Sequence, residues 1–538
     1  MLKRTLNIDS GYLHIPIKFG VSKNELQFWL GGRLLYQFSL ELSDGDFDCY
    51  CFLDVSELKN TKVDLIVPSE KGISQQSLDN IFIGQAPEQH SEYKDMYKED
   101  LRPQFHFSSR RGWLNDPNGL YWHDGIYHMY YQHNPLVMHH GSVNVSWGHT
   151  VSEDLVHWKE QKDAILPWRR DWSVASGSAI IDYDNVAGYG KDAVIAAFTA
   201  LASISEKGEG YPSGGQFLAA SIDGGQSFYR FTQFAMIDDP KGEGWRDPRL
   251  FKENGVYYIA VYEIRDEVNG VSFYKSQNLH DWEFVSWTPN LFECPDLFKL
   301  KVEGTDEEKW VLFGADGLAR IGSFEEGVFT DDGIAMPLDY GVSTYAGQTW
   351  SHAPNGRRIH ISWVRGMYGY NDWADGMGYR GMPFSQCMSL PCEITLSKAD
   401  GRYHICRFPV EELKELRNGL PEETMIELNG SYSLELNATS EIMLTIDSFA
   451  NSQLAFELLE YSIKLDLQSA EAKIDDKPIR KLLQAPTQVR IFTDSTTIEI
   501  CIGNEICATY AADTKGMNIV VSGEAKVKKQ EWDLRSIW

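Results

Sequence analysis

A chain of 538 residues, 43% hydrophobic and 24% charged, is long enough for about two to four separate cores. Its net charge of −27, with no Lys/Arg run, excludes a nucleic-acid surface, which needs clustered cations against phosphate. It also disfavours polyanionic substrates and leaves neutral ligands such as sugars.

Aromatic residues make up 13% of the chain, which favours strands because flat rings pack well on pleated surfaces. Residues 1–95 alternate in YLHIPIKF, LQFWLGG, CYCFLDV and KVDLIVP, the pattern of a small β domain. Lys3 and Arg4 are not followed by an apolar run, so no secretory signal is expected and the chain reads as cytoplasmic, with secretion as the alternative if a signal peptide has been removed. No stretch has the ~18 apolar residues of a membrane span. The eight cysteines are scattered without zinc spacing and are expected as free thiols. Cys49 and Cys51 share one strand face and are expected in a core.

Residues 86–103 are charged and polar and read as a linker or helix. Within 96–400, five strand-like runs recur beside turn residues: GIYHMYYQ, AVIAAFTA, GVYYIAVYE, KWVLFGAD and RRIHISWV. Their spacing of roughly 50 to 70 residues is that of a repeat. Units of four short strands at this period predict a five-bladed β-propeller, with a β-sandwich carrying long loops as the alternative. Residues 401–420, containing FPVEELKELRN, predict a linker helix. Residues 421–538 alternate again (SYSLELNA, EIMLTID, TIEICIG) and predict a C-terminal β-sandwich. The expected fold is all-β, with the propeller as the catalytic domain.

Three stretches share one grammar, an acid placed at or just before a proline: Asn115-Asp116-Pro117, Arg246-Asp247-Pro248 and Glu293-Cys294-Pro295. Proline pushes its predecessor into extended conformation, so such acids are stiffly aimed. Asn118-Gly119 then predicts a chain reversal. Each stretch alone reads as a turn or a surface ion pair. Three of them in separate repeats of one β architecture point to carboxylates meeting at one channel mouth.

WLNDPNGL, RDPRL and ECPDLF in this order resemble glycoside hydrolase family 32, the β-fructofuranosidases (invertases, inulinases, levanases). YYQHNP, WGHTVSEDLVHW, SGSAIID, DYGVSTYAGQTW and MSLPCEITL extend the resemblance, which spans roughly residues 103–538. It implies a retaining hydrolase that removes terminal fructosyl units from sucrose, fructo-oligosaccharides or fructans. Asp116 would be the nucleophile, Glu293 the acid/base and Asp247 the transition-state stabiliser. Close anions and partial burial are expected to raise the Glu293 pKa, and hydrogen bonds to keep Asp116 ionised. Cys294 beside the acid would tune it. The sugar pocket would include Asn115, Gln132, Trp147, Ser176 and Arg246, with Trp113 and Trp350 as candidate walls. The residue before SGSA is often aromatic in the family but is Ala175 here, a space that Trp168 or Trp172 would have to fill. The loops 134–146 and 366–380 are where chain-type preference is expected.

No cofactor and no metal are expected: the seven histidines between 123 and 157 lack the helical HExxH arrangement. The expected partner is a small or oligomeric fructoside, with no nucleic acid and no membrane. A fructosyltransferase or endo-acting fructanase on the same scaffold, and more remotely a non-catalytic fructan-binding protein, are the alternatives.

Overall fold

The computed structural model describes residues 1–140, 145–167, 172–202, 214–230, 243–475, 477–479 and 481–538. Between Gly112 and Pro409, five sheets follow one another in chain order. Each opens on an inner strand: Gly112–His123, Trp172–Asp182, Glu243–Glu253, Asp296–Lys301 and Thr344–Thr349. This is the expected five-bladed propeller. Phe384–Ser385 pairs in parallel with Gly112–Trp113, so the end of the propeller segment latches onto its beginning. The outer strand of blade five is Arg402–Pro409, so the propeller continues past residue 400. The helix expected over 401–420 is only a 3-10 turn, Glu411–Leu416. RYHICRFP pairs as a strand, and only Leu413 and Leu416 of the following turn are buried.

The inner strands are laced together by side chains. Asn118 Oδ1 of blade one accepts from the Gly177 N–H of blade two at 2.9 Å. Ser178 donates to the Pro248 carbonyl and accepts from Leu250 N–H, joining blades two and three. The buried Arg249–Asp296 pair joins three to four at 2.9 Å, and Asp296 accepts from Thr349 of blade five. Gln348 closes the ring, accepting from Leu120 N–H and donating to the Gly177 carbonyl. Buried polar groups must be paired, so each of these bonds also fixes a blade's position.

Four inner strands carry register shifts, and Asn115, Asp116, Ser176 and Asp247 sit inside three of them. The shifts lie between Leu114 and Pro117, Val174 and Gly177, Arg246 and Arg249, and Tyr345 and Gln348. A bulge re-aims a side chain and leaves its backbone unpaired. The reversal expected at Asn118-Gly119 is a second bulge, between Asn118 and Tyr121, with Gly119 at φ 56°. The chain turns instead at Asp124-Gly125, with φ of 48° and 87°, the positive pair a tight hairpin requires.

The N-terminal residues form two sheets. Leu2–Asn7, Lys62–Val67, Asn24–Leu30 and Arg33–Leu40 make one, and Cys49–Asp54, Tyr12–Ile17 and Phe82–Gly84 the other. Their shared core takes in Leu136, Val137 and Met138 from the loop after the second strand of blade one. Cys49 and Cys51 are buried free thiols within it.

The C-terminal residues form the β-sandwich, with long strands Glu422–Glu435, Ser440–Leu458 and Asn518–Asp533 around an Ile/Leu/Val core. Cys501 and Cys507 face each other on neighbouring strands and form a disulfide, which corrects the expectation that all cysteines are free.

The sandwich is fixed to the propeller by fully buried His106, 2.9 Å from Asp494 and 3.3 Å from Glu499. Burial alone would lower the pKa of this imidazole, but the two carboxylates outweigh it and raise it to about 9. The folded pKa therefore exceeds the ordinary 6.5. The resulting stability is complete below pH 6.5 and is lost as pH rises through about 9. His106→Gln is expected to lower the melting temperature at pH 6 and to narrow its deficit at pH 9.5, as read by thermal unfolding across pH.

Candidate active site

Two bulges and the loop before the inner strand of blade four bring three carboxylates, Asp116, Asp247 and Glu293, to one end of the channel. Asp116 stands in the first bulge of blade one and is 8% exposed. Its Oδ2 accepts from Ser176 Oγ at 2.6 Å and from Gln132 Nε2 at 3.1 Å, with the Cys294 thiol at 3.7 Å. Its Oδ1 accepts from Asn115 Nδ2 at 3.2 Å. Gln132 and Ser176 are also in contact with each other, so the donors form one connected set.

Asp247 has φ 63°, and Glu293 and Cys294 have φ 49° and 38°. An extended Asp247 was expected from Pro248, so the observed left-handed backbone is a correction. Non-glycine residues in this region cost of order 1 kcal/mol or more and persist only where the surroundings hold them. Here Asp247 N–H donates to Thr199 Oγ1 at 2.8 Å, and Cys294 N–H donates to Asp247 Oδ2 at 3.2 Å. The strained backbone of blade four is thus tied to the carboxylate of blade three.

Arg246 holds the other side. Its Nε and Nη2 both donate to Glu293 Oε1, at 3.0 and 2.5 Å. Its Nε lies 3.8 Å from Asp247 Oδ2, and its guanidinium covers the Tyr262 ring at 4.4 Å. Tyr345 donates its hydroxyl to Glu293 Oε2. Sequence reasoning did not single out Tyr345 or Thr199. The signal for Tyr345 was its position in STYAGQTW, immediately before Ala346, whose φ of 50° marks the blade-five bulge.

Burial dominates the electrostatics. It raises the Asp116 pKa against the hydrogen bonds from Ser176 and Asn115, with Glu293 adding to the rise. The expected hydrogen bonds do favour ionised Asp116, but burial outweighs them. Burial, and then the charges of Asp116 and Glu293, raise Asp247 to about 7. The Cys294 thiol is pushed well up by burial and the surrounding carboxylates, so it stays protonated and donates.

The structure brings Asn115, Asp116, Gln132, Ser176, Arg246, Asp247 and Glu293 together. The three tryptophans expected to touch substrate are instead fully buried. Trp113 donates to Asn115 Oδ1 at 2.9 Å. Trp147 donates to the Ala175 carbonyl at 2.9 Å and packs beside Tyr130 and Phe198. Trp350 donates to the His128 carbonyl at 2.9 Å and stacks on Trp158. These rings support the site from behind, because closing a propeller needs large apolar bodies between blades. Trp168 and the side chain of Trp172 lie outside the described residues. The histidines of blade one go to separate partners: His133 to Asp163, His157 to Asp154, and His128 to His149.

A propeller whose channel mouth presents three carboxylates, amide and hydroxyl donors and an arginine defines a glycoside hydrolase. Residues 106–408, more than half of the chain, match the glycosyl hydrolases family 32 N-terminal domain, and the chain belongs to that family. The extracellular exo-inulinase of Aspergillus ficuum is 29% identical over 373 residues, covering 60% of this chain and 67% of that protein. The levanbiose-producing levanase of Bacillus subtilis is 30% identical over 381 residues, covering 66% and 70%. In fold, the Aspergillus awamori exo-inulinase superposes with a TM-score of 0.70 at 23% identity, over 82% of this chain and all of that one. The Bombyx mori β-fructofuranosidase superposes with a TM-score of 0.65 at 22% identity, over 83% and 96%. The cytoplasmic placement expected from the N-terminus is corrected by these relatives, since the aligned exo-inulinases are named extracellular.

Asp247 carries a stability cost that should be measurable. Its folded pKa of about 7 exceeds the ordinary 3.8, so the cost is absent below pH 3.8 and complete above about pH 7. Asp247→Asn is expected to raise the melting temperature at pH 8 and to change it little at pH 4. The gain is at most about 4 kcal/mol. An equal change at both pH values in calorimetric unfolding would contradict this account.

Proposed function

We propose that the protein hydrolyses terminal β-D-fructofuranosyl units with retention, through a fructosyl ester on Asp116. The observation that carries this reading is the connected carboxylate cluster, with donors concentrated on one acid and a cation on another. An Asp116 oxygen attacks the anomeric carbon as the glycosidic C–O bond breaks, and the leaving oxygen takes the proton of Glu293. Water then gives a proton to Glu293 and attacks the same carbon, releasing Asp116 and fructose. Four donors fix the Asp116 carboxylate, so its attack requires little reorganisation.

Asp247 and Arg246 hold the sugar hydroxyls. Arg246 turns from Glu293 to those hydroxyls when substrate enters, which lets Glu293 carry its proton. Tyr345 keeps the Glu293 carboxyl aimed while that proton moves. A fructoside with an unmodified terminal ring, as in sucrose, inulin or levan, fits this set because every contact is to a neutral hydroxyl or ring oxygen.

Asp116→Asn is expected to reduce kcat by about 10³-fold or more with the fold retained, and Glu293→Gln by about 10² to 10⁴. Tyr345→Phe should lower kcat about tenfold or more, the value of a hydrogen bond to a charged group, with little effect on unfolding. Chromatography of sucrose, kestose, inulin and levan digests checks the reading. Free fructose as the only new sugar from the polymers supports terminal cleavage, whereas short oligomers or lengthened products overturn it.

A further inference from the structure

A second cavity, of about 720 Å³, opens between the N-terminal sheets and blade one. Ligand sites commonly have volumes of ~300–1,000 Å³ and favour domain junctions. Its walls come from three parts of the chain: the hairpin around Arg33 and Tyr36, the strand ending at Asp54, and residues 160–166 of the propeller.

The charges in these walls neutralise one another. Arg110 lies 3.7 Å from Glu160, Lys162 3.5 Å from Glu57, and His133 2.8 Å from Asp163. The cavity is therefore strongly polar without a dominant sign, which disfavours an ionic ligand and suits a neutral polyol. One oxygen of Asp163, Oδ2, is buried without a hydrogen-bond partner. Tyr12, Tyr36, Phe52 and Phe228 are among the lining residues, and aromatic rings can pack on the C–H side of a sugar.

The cavity backs onto the active site. Gln132 and His133 are neighbours on the strand Ile126–Asn134 and point to opposite faces. Gln132 reaches Asp116, whereas His133 reaches Asp163 in the cavity wall.

We propose that this cavity is a non-catalytic oligosaccharide-binding site that takes internal fructosyl units of a substrate chain. The assignment rests on the fructoside-hydrolase reading above. A chain held here raises the effective concentration of its free end at the channel mouth. Such tethering is worth far more for a polymer than for a disaccharide.

The test uses the full chain, with nystose as the binding probe and inulin, levan and sucrose as substrates. Calorimetric titration of nystose into Asp116→Asn should report two sites. Adding either Arg33→Ala/Lys162→Ala or Leu35→Trp, which fills the cavity, should leave one. In the active background the same changes should raise KM for inulin or levan by about threefold or more and leave KM for sucrose unchanged. A single site in Asp116→Asn, or two sites that survive both cavity variants, overturns the proposal, as do equal effects on polymer and sucrose. If the wild type releases fructose from no fructoside, the catalytic reading fails, and the cavity still stands or falls on the titration.

Discussion

Three carboxylates share one poorly solvated channel mouth, and their mutual repulsion is the constraint around which the propeller is built. Asp116 and Asp247 are both under 10% exposed; burial raises the pKa of each, Glu293 adds to both rises, and Asp116 adds to that of Asp247. In water they would separate. Here they are held by backbone that no regular strand supplies: bulges in four inner strands and left-handed residues at Asp247, Glu293 and Cys294. That arrangement is unfavourable on its own. It is stabilised by donors aimed at the anions, by Arg246, and by the lacing of Asn118, Ser178, Arg249 and Gln348 around the channel. Ser178, Arg249 and Gln348 contribute rigidity from around the site, and Asn118 also donates to the Asp116 carbonyl at 3.1 Å.

The same constraint explains the buried tryptophans. A site that must hold like charges together cannot tolerate a yielding wall. Trp113, Trp147 and Trp350 each fill the space between strands and spend their single N–H on a backbone carbonyl or on Asn115. A half-exposed ring would grip a sugar but would leave the strand behind it free to shift. Trp147 bonds the Ala175 carbonyl, next to Ser176, so it sets the donor that reaches Asp116 without facing the channel itself.

Much of this was legible in the chain. The repeat period and the strand-like runs indicate the propeller, because each blade must present the same alternation to its neighbours. The three acid–proline stretches mark the carboxylates, because their chemistry is local. What was not legible is what depends on contacts between blades. Asn118-Gly119 has the composition of a reversal, yet a strand with two bulges uses the same left-handed freedom without turning. Asp247 precedes a proline and still adopts positive φ, because bonds to Thr199 and Cys294 outweigh the local preference. Tyr345 meets Glu293 only because blade five closes against blade four. The loss of the expected helix after residue 400 has a local origin instead: Asp400-Gly401, with φ of 51° and 77°, makes a tight hairpin that pairs Arg402–Pro409 with Cys392–Ala399 inside blade five.

The N-terminal sheets are part of this mechanical system rather than an appendage. Leu136, Val137 and Met138 leave the strand that carries Gln132 and enter the N-terminal core directly. Arg111, one residue before the inner strand of blade one, donates to the Tyr50 carbonyl at 3.1 Å and pairs with Glu99 at 3.2 Å. Blade one is therefore clamped at both ends of its central hairpin by residues from outside the propeller. Because the hairpin supplies Asn115, Asp116 and Gln132, a shift of the N-terminal sheets would be transmitted to the donors of the nucleophilic carboxylate. Loosening such a clamp costs the folded state apolar burial and a buried ion pair at once. The N-terminal sheets and blade one are therefore coupled through one apolar core and one polar clamp.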